Sequence, residues 1–588
     1  MRVRHQRAAV GLSMPTPEVW CGLKLTHDGG VAAIEGNRLL FSIEAEKLEN
    51  RPRHATMHEA ADIVAQLAAN GLAPGDLAGV AVDGWARGAQ GETWVEVADA
   101  AGTLHPVEVA GYHDEPGAGR LLTGVTGNAP LLGAPTPFRS FSHATDHALS
   151  SYCTSPFAAR RQRALITVWD GGMVPCLYVF DPERVSLECL GPVGSISGAL
   201  FPIFCSHFAP FKIDHGTRRA NDPGPGLEAL LPIAGKAMAY AALDTVSEEA
   251  VAVMAAVTEE IGLVDAAIPA YLWSRRVLTR TAPLGLSDAA LVGSIQEFLF
   301  RVFAAGLDGL LSRRPDLDGL PICLSGGCAL NIKWNAGLRA SGRFAGVWVP
   351  PFPNDSGSAI GAACTEMVRR TGRADLEWSV FAGPGVRDVG QPPPGWSAQP
   401  CEIEELAKIL EVHGEPVVVV SGRAELGPRA LGHRSIIAPP TSAAMKDRLN
   451  AVKGREPYRP VAPICLEHRA PEVFDPGTPD PYMLFDHQIR PQWRSRIPAV
   501  AHVDNSARLE TVGPDNELMW RLLTAYERST GVPVLCNTSA NFRGSGFFPD
   551  AESVMRWGQV RYVWSNGTLF TSDADPGAGA DPGAGAAG

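Results

Sequence analysis

The 588-residue sequence predicts an α/β protein in two unequal parts, the larger one internally repeated. Three observations lead there. The length exceeds one ordinary domain, and 45% hydrophobic residues suffice for large cores. GPGVRDVGQPPPG at Gly383–Gly395 reads as a linker. It divides residues 18–381 from residues 398–572, with 382–397 as the connection. A strand, an Asp-Gly-Gly turn and two further strands occur twice in the first part.

In chain order, residues 1–17 begin basic, but the apolar run before Pro15 is too short for a signal peptide, so they read as a loose tail. Trp20–Leu25 reads as a strand, Thr26–Gly30 as a turn, and Val31–Ile34 and Leu39–Ile43 as strands around the turn Glu35–Asn37. FSHATDHALSSY has helical character. The repeat follows, with the strand Ala164–Trp169, the turn Asp170–Gly172 and the strand Pro175–Phe180. A third glycine turn, Leu324–Gly327, joins the strand Pro321–Leu324 to a helix over Ala329–Ser341. The residues Gly171, Gly172, Ser325, Gly326, Gly327 and Asn331 are read as phosphate turns, because glycine-rich turns at helix starts present backbone N–H groups. In the second part Val532–Leu535 is a strand leading into Cys536–Asn541. Residues 573–588 are a repeated Asp-Pro-Gly-Ala tail that cannot form a core.

The net charge of −12 argues against a nucleic-acid binder. Eleven scattered cysteines with no C-x-x-C fit a reduced, cytoplasmic protein and exclude a zinc module. No uninterrupted apolar run is long enough to span a bilayer, so no membrane partner is expected.

Against this acidic background, Gly427–Ser435 (GPRALGHRS) and Lys453–Pro460 (KGREPYRP) place Arg429, Arg434, Lys453, Arg455 and Arg459 beside glycine-bounded turns. Arginine forks and a lysine point charge suit a phosphate-rich ligand. Arg508 adds a cation, and Asn537 and Ser539 can hold a polar ligand edge. His143 and His147 are four apart, on one helix face. With the carboxylates of Asp170 and Asp355 they would suit Fe(II) or a similar first-row cation. Asp146 lies between them and is expected to be solvated or a helix N-terminal partner. His27 sits in the first turn, either as a satisfied buried histidine or as a general base. Asp28 either orients it or is a turn residue.

The ordered motifs LTHDGG, H-x-x-x-H, Asp-Gly-Gly, PIAGKAMAYAAL, LSGGCALNIKWN, PFPNDSGSAIGAA, ELGPRALGHRSIIAPP, VKGREPYRPVAPI, HVDNSARLETV and PVLCNTSAN resemble the O-carbamoyltransferases of nodulation-factor and antibiotic-tailoring type. The opening looks nearest to the branch acting on aminocoumarin sugars and macrocyclic polyketides. The resemblance implies a duplicated actin-like domain of the threonylcarbamoyl-transferase type, followed by a YrdC-like α/β domain. It implies that ATP, with Mg(II), and carbamoyl phosphate give carbamoyl-adenylate in the second part. The carbamoyl group would then pass to a small-molecule hydroxyl in the first. By motif, His143, His147, Asp170 and Asp355 match iron ligands and His27 the base. Arg429, Arg434, Lys453, Arg455, Arg459, Arg508, Asn537 and Ser539 match the carbamoyl-adenylate site. This chain departs from the pattern at Ala144, Ala540, the segment FRGSGFFPD and Glu510, where histidine, phenylalanine, a Glu-Pro pair and glutamine are usual. Carbamoylation or threonylcarbamoylation of a protein thiol or tRNA is the alternative, and an actin-like nucleotide-binding scaffold is the non-enzymatic one. A homodimer is left open. Gly111–Ala134, Phe201–Pro225 and Pro479–Arg496 are the loops expected to set acceptor specificity.

Overall fold

The computed structural model describes residues 18–48, 51–86, 93–117, 121–213, 227–542 and 544–574. The tail read at 1–17, most of the one read at 573–588, and residues 118–120 and 214–225 of the specificity loops lie outside them.

The Asp-Gly-Gly repeat expands into two similarly wound sheets. The first runs Arg38–Glu44, Gly30–Glu35, Val19–Lys24, Leu77–Asp83, Thr136–Phe141, with Val125–Ala129 added at the edge. The second runs Ser186–Pro192, Cys176–Asp181, Ala164–Val168, Ile322–Ser325, Val347–Trp348. In each, an antiparallel three-strand meander is followed by two strands parallel to its first. The central strands are buried on both faces, which explains their continuous apolar runs.

A helix follows the fifth strand of each sheet, and the two helices cross over. His143–Cys153, from the first half, packs on the second sheet, and Ser358–Thr371, from the second half, packs on the first. They also pack on each other, and Gly361 permits the approach: a Cβ there would lie 2.2 Å from the Asp146 carbonyl oxygen. Asp146 is therefore fully buried and accepts a hydrogen bond from Thr365 Oγ1 at 2.7 Å. The solvated position expected for it is excluded because its helix has cover on every side.

Helices between residues 200 and 311 pack over the second sheet. One of them, Asp288–Leu311, is the only helix among the described residues long and apolar enough to cross a membrane. Its apolar face, with Val292, Ile295, Phe298, Leu299 and Phe303, lies in the core.

The second part centres on eight strands in the order Trp396–Pro400, Thr568–Ser572, Tyr562–Ser565, Val417–Val420, Arg434–Ala438, Val534–Ser539, Ala462–Leu466, Glu510–Val512. Helices Glu405–His413 and Glu517–Thr530 pack together over it. The stretch before the linker lies along the edge strand of the first sheet, where Leu39 N–H donates to Glu377 O and Ser42 N–H to Ala382 O. This pairing covers an edge that would otherwise be open. The parts are pinned by buried Lys47, whose ammonium contacts Glu44 Oε1 at 2.7 Å and the carbonyl of Gly427 at 2.8 Å. The Gly427 N–H donates to Glu44 Oε1 at 2.7 Å.

Candidate functional site

The crossed helices bring two turns and two helix starts to one point. His143 and His147 occupy the first turns of their helix, which Ser142 caps through Thr145 N–H. Asp170 ends the first strand of the second sheet, and Asp355 lies in the turn before Ser358–Thr371. All four side chains are buried, and each offers a ligand atom within 4.8 Å of the others. The four positions read from sequence thus converge.

Their surroundings set the protonation. His143 Nδ1 lies 2.8 Å from Asp83 Oδ2. A carboxylate only accepts, so Nδ1 carries the proton and Nε2 faces the cluster. There it lies 3.0 Å from His147 Nε2, with Asp355 Oδ1 3.5 Å from each. Two imidazole lone pairs and a carboxylate at this spacing need a cation or a proton between them. Burial lowers the His143 pKa, but Asp83 outweighs it and lifts the group to about 9. A metal would displace that proton, so the donor set fits a first-row divalent ion. Lys24 is buried between Asp83 Oδ2 at 2.7 Å and Asp355 Oδ2 at 2.9 Å. Burial opposes the charge on Asp83, yet His143 and Lys24 hold its pKa at about 2. Asp170 receives Tyr112 O–H on Oδ2 and the Gly327 N–H on Oδ1, both at 2.6 Å.

The glycine turns therefore have internal work. Gly327 N–H, expected to face phosphate, holds Asp170. Ser325 Oγ donates to the His147 carbonyl at 2.9 Å. Asn331 caps its helix by accepting from Lys333 N–H. Gly326 has φ +85° and a Cβ there would meet the Trp169 carbonyl oxygen at 2.3 Å. Gly172 lies against the Tyr112 ring, and the Gly171 carbonyl accepts from Ala199 N–H.

His27 is beside this cluster, with Nε2 3.7 Å from Asp355 Oδ2. Its Nδ1 lies 3.0 Å from Asp28 Oδ2, so Asp28 orients the ring and Nε2 is the open nitrogen. Its ring packs edge-on against Trp85.

The second centre is cationic. Arg429, Lys453, Arg455, Arg459 and Arg508 gather within reach of one another's charge, with Lys453 touching Ser539, and each is lowered in pKa. Burial comes first in every case, followed, except at Arg459, by a neighbouring cation. At Arg459 the carboxylate of Glu456 works against burial, ahead of the push from Arg53. Arg429 and Lys453 fall well below their ordinary values, Arg455 to about 9 and Arg508 to about 10. Arg429 Nε and Arg508 Nε are buried with no hydrogen-bond partner among the described residues. Lys453 Nζ contacts Ser539 and Asn541, and Ser539 Oγ donates to Asn541 Oδ1 at 2.8 Å. Asn537 is set back, donating to the Ala430 carbonyl and to Glu510. Burial raises the Glu510 pKa well above the usual range.

Arg434 does not join this cluster. Its guanidinium is buried and donates to the carbonyls of Ser421, His433, Pro384 and Gly422. It shapes the loop together with Glu425, whose Oε1 accepts from the N–H groups of Leu431, His433 and Arg434.

The carbamoyltransferase N-terminal family model matches residues 19–102 and 134–364, and the C-terminal one matches residues 407–563. This chain belongs to the carbamoyltransferase family. It is an O-carbamoyltransferase of the nodulation and antibiotic-tailoring type. Nodulation protein U of Rhizobium tropici is 45% identical over 570 residues, covering 94% of this chain and 96% of that one. The 3'-hydroxymethylcephem-O-carbamoyltransferase of Streptomyces clavuligerus is 34% identical over 548 residues, covering 91% and 95%. A ROK family glucokinase from Streptomyces griseus overlays with a TM-score of 0.24 at 14% identity, over 59% of this chain and 98% of that one, a likeness too slight to carry weight.

Four residues of this carbamoyltransferase site are not evident from motif spacing: Lys24, Asp83, Tyr112 and Glu425. Lys24 and Asp83 end buried strands, where a charge is rare unless paired, and that is the one signal that could have found them.

Proposed function

We propose that the second part forms carbamoyl-adenylate from carbamoyl phosphate and ATP, and that the first part passes the carbamoyl group to a hydroxyl of a natural product. Carbamoyl phosphate, ATP as its Mg(II) complex and one water would give carbamoyl-adenylate, pyrophosphate and phosphate. The observation that carries this reading is the half-buried cluster of five cations, which only Glu456 and Asp480 oppose, in one chain with a base beside four convergent metal-type ligands. Fixed cations aimed at developing phosphate charge are the main tool of phosphoryl chemistry. The larger part would be actin-like in its duplicated winding, and the second YrdC-like.

His143, His147, Asp170 and Asp355 would hold Fe(II) or a similar ion, which when bound supplies Lewis acidity toward phosphate or carbamoyl oxygens. Asp28 holds the His27 Nδ1 proton, so Nε2 takes the proton of the acceptor hydroxyl as its oxygen bonds to the carbamoyl carbon. AMP leaves with the bonding electron pair. Lys24 keeps Asp355 ionised and in place. The surrounding burial excludes water from a hydrolysable acyl-adenylate.

The acceptor we propose is a secondary hydroxyl of a macrolide, macrolactam or attached deoxysugar. The test incubates the protein with ATP, carbamoyl phosphate and a panel of such alcohols plus a hydroxymethyl cephem. Pyrophosphate release that requires carbamoyl phosphate, and product gaining one carbamoyl mass, are expected. Modification of only an amine, a thiol or tRNA would overturn the reading.

A further inference from the structure

The segment Pro52–His54 lies outside both centres as the sequence defines them, yet it reaches each. It is seated on the second part, where Arg53 N–H donates to the Gly544 carbonyl at 3.0 Å and Arg53 Nε to the Ser545 carbonyl at 3.4 Å. From there Arg53 adds to the charge that lowers Arg429, Lys453 and Arg459. It is the exposed member of that group, whereas the others are half-buried. The next residue turns the other way. His54 has φ +62°, and its Nδ1 lies 3.0 Å from Asp28 Oδ1 and 3.2 Å from Oδ2. Asp28 Oδ2 is the atom that holds His27 Nδ1 at 3.0 Å. One carboxylate is thus gripped by two imidazoles, and Asp28 N–H donates to the His54 carbonyl at 3.3 Å. Glu46 faces His54 from the other side, with Oε2 accepting from the His54 N–H at 3.2 Å.

We propose that Arg53 and His54 make this segment a shared element of the two centres. Arg53 is a binding residue for the phosphate groups held in the second part. His54 is a positioning residue that, through Asp28, aims the base His27. The peptide bond between them fixes the base relative to the phosphate site. An imidazole donating from Nδ1 across both oxygens leaves the Asp28 carboxylate one orientation, in which Oδ2 also meets His27. Without His54, that carboxylate can rotate and His27 loses its direction, not its chemistry. The inference rests on the two-centre reading above.

The test has an arm that needs no turnover. Pyrophosphate binding is measured by calorimetry on wild type, Arg53→Met and His54→Ala. Arg53→Met should weaken binding about tenfold, and His54→Ala should leave it within twofold. In steady-state transfer, His54→Ala should lower kcat by about 10–100-fold with an unchanged acceptor KM, and His54→Gln, which keeps an N–H donor, should recover part of the loss. In an Asp28→Asn background, His54→Ala should add nothing further, because both act on one orientation. Unweakened pyrophosphate binding in Arg53→Met, or wild-type kcat in His54→Ala, would overturn the proposal. A wild type that binds pyrophosphate but transfers nothing would count against the functional reading, and the binding arm would still decide the role of Arg53.

Discussion

Replacing Arg508 by methionine should stabilise the ligand-free protein while disabling adenylation. The Arg508 guanidinium sits near Arg459, with Asp480 as an opposing charge, and its pKa falls to about 10, against about 12.5 for a guanidinium in water. Each pH unit is worth about 1.4 kcal/mol, so holding the charge costs at most roughly 3 kcal/mol. Partial exposure and screening reduce this to about 1–2 kcal/mol. The sign follows from proton binding. The folded pKa is below the unfolded one, so the penalty is complete at neutral pH and is relieved only as pH rises above about 10. Methionine removes the charge and fills much of the same volume, and the Arg508 Nε that it replaces has no hydrogen bond to lose among the described residues. Scanning calorimetry of the ligand-free variant should show the second part melting about 2–6 °C higher. Wild type should gain stability from pyrophosphate, by about 2.7 kcal/mol at a hundredfold excess over Kd, and the variant far less. Carbamoyl phosphate-dependent pyrophosphate release should fall by at least about a hundredfold, the usual worth of one such donor. A variant that melts below wild type without ligand, or keeps the full pyrophosphate shift, would refute the idea that this cluster is strained in wait for an anion.

His147→Ala should abolish metal retention, measured by plasma emission, while sparing pyrophosphate release. Tyr112→Phe removes the hydroxyl that fixes Asp170 and should weaken metal affinity by about 10–100-fold in a competition titration. His27→Asn should leave adenylation intact and lower transfer by about 10²–10⁴-fold, the typical worth of a general base, read as carbamoylated product per minute. Glu510→Gln should be tolerated. The folded pKa of Glu510 lies above its unfolded value, so its burden on stability grows as pH rises from about 4.3. The variant should therefore gain on wild type in melting temperature across pH 5–9.

The hairpins around Asp28 and Asp170 were legible because two-residue alternation, glycine turns and short apolar runs are local signals. Strand ends moved by a few residues, as with Val532–Leu535, which is Val534–Ser539 in the structure. The four positions of the buried His–Asp cluster were legible through family motifs, and only the helical pair through spacing. The crossing of the two central helices was not legible, since it depends on contacts between residues some two hundred positions apart. Asp146 was misplaced for that reason. Arg434 looked like its neighbours in GPRALGHRS because composition does not show whether a guanidinium will meet a ligand or four backbone carbonyls. Glu510 departs from the usual glutamine in letters, but it is close to glutamine in shape, and burial favours its neutral carboxyl form.

The match to the family breaks off at residue 102 and resumes at 134. Tyr112 falls in that gap, yet its ring stacks on His143 at 4.4 Å. The carbonyls of Gly111 and Tyr112 accept from the first two amides of the histidine helix, and Asp114 accepts from Ser142 Oγ and Thr145 Oγ1. The stretch that the family model leaves unmatched is thus spliced into the part that it matches. An acceptor loop grafted from a relative would have to bring its own lid for His143. Exchanging substrate preference between members should therefore succeed only when residues 111–114 stay with the host, and the interchangeable portion begins beyond Asp114.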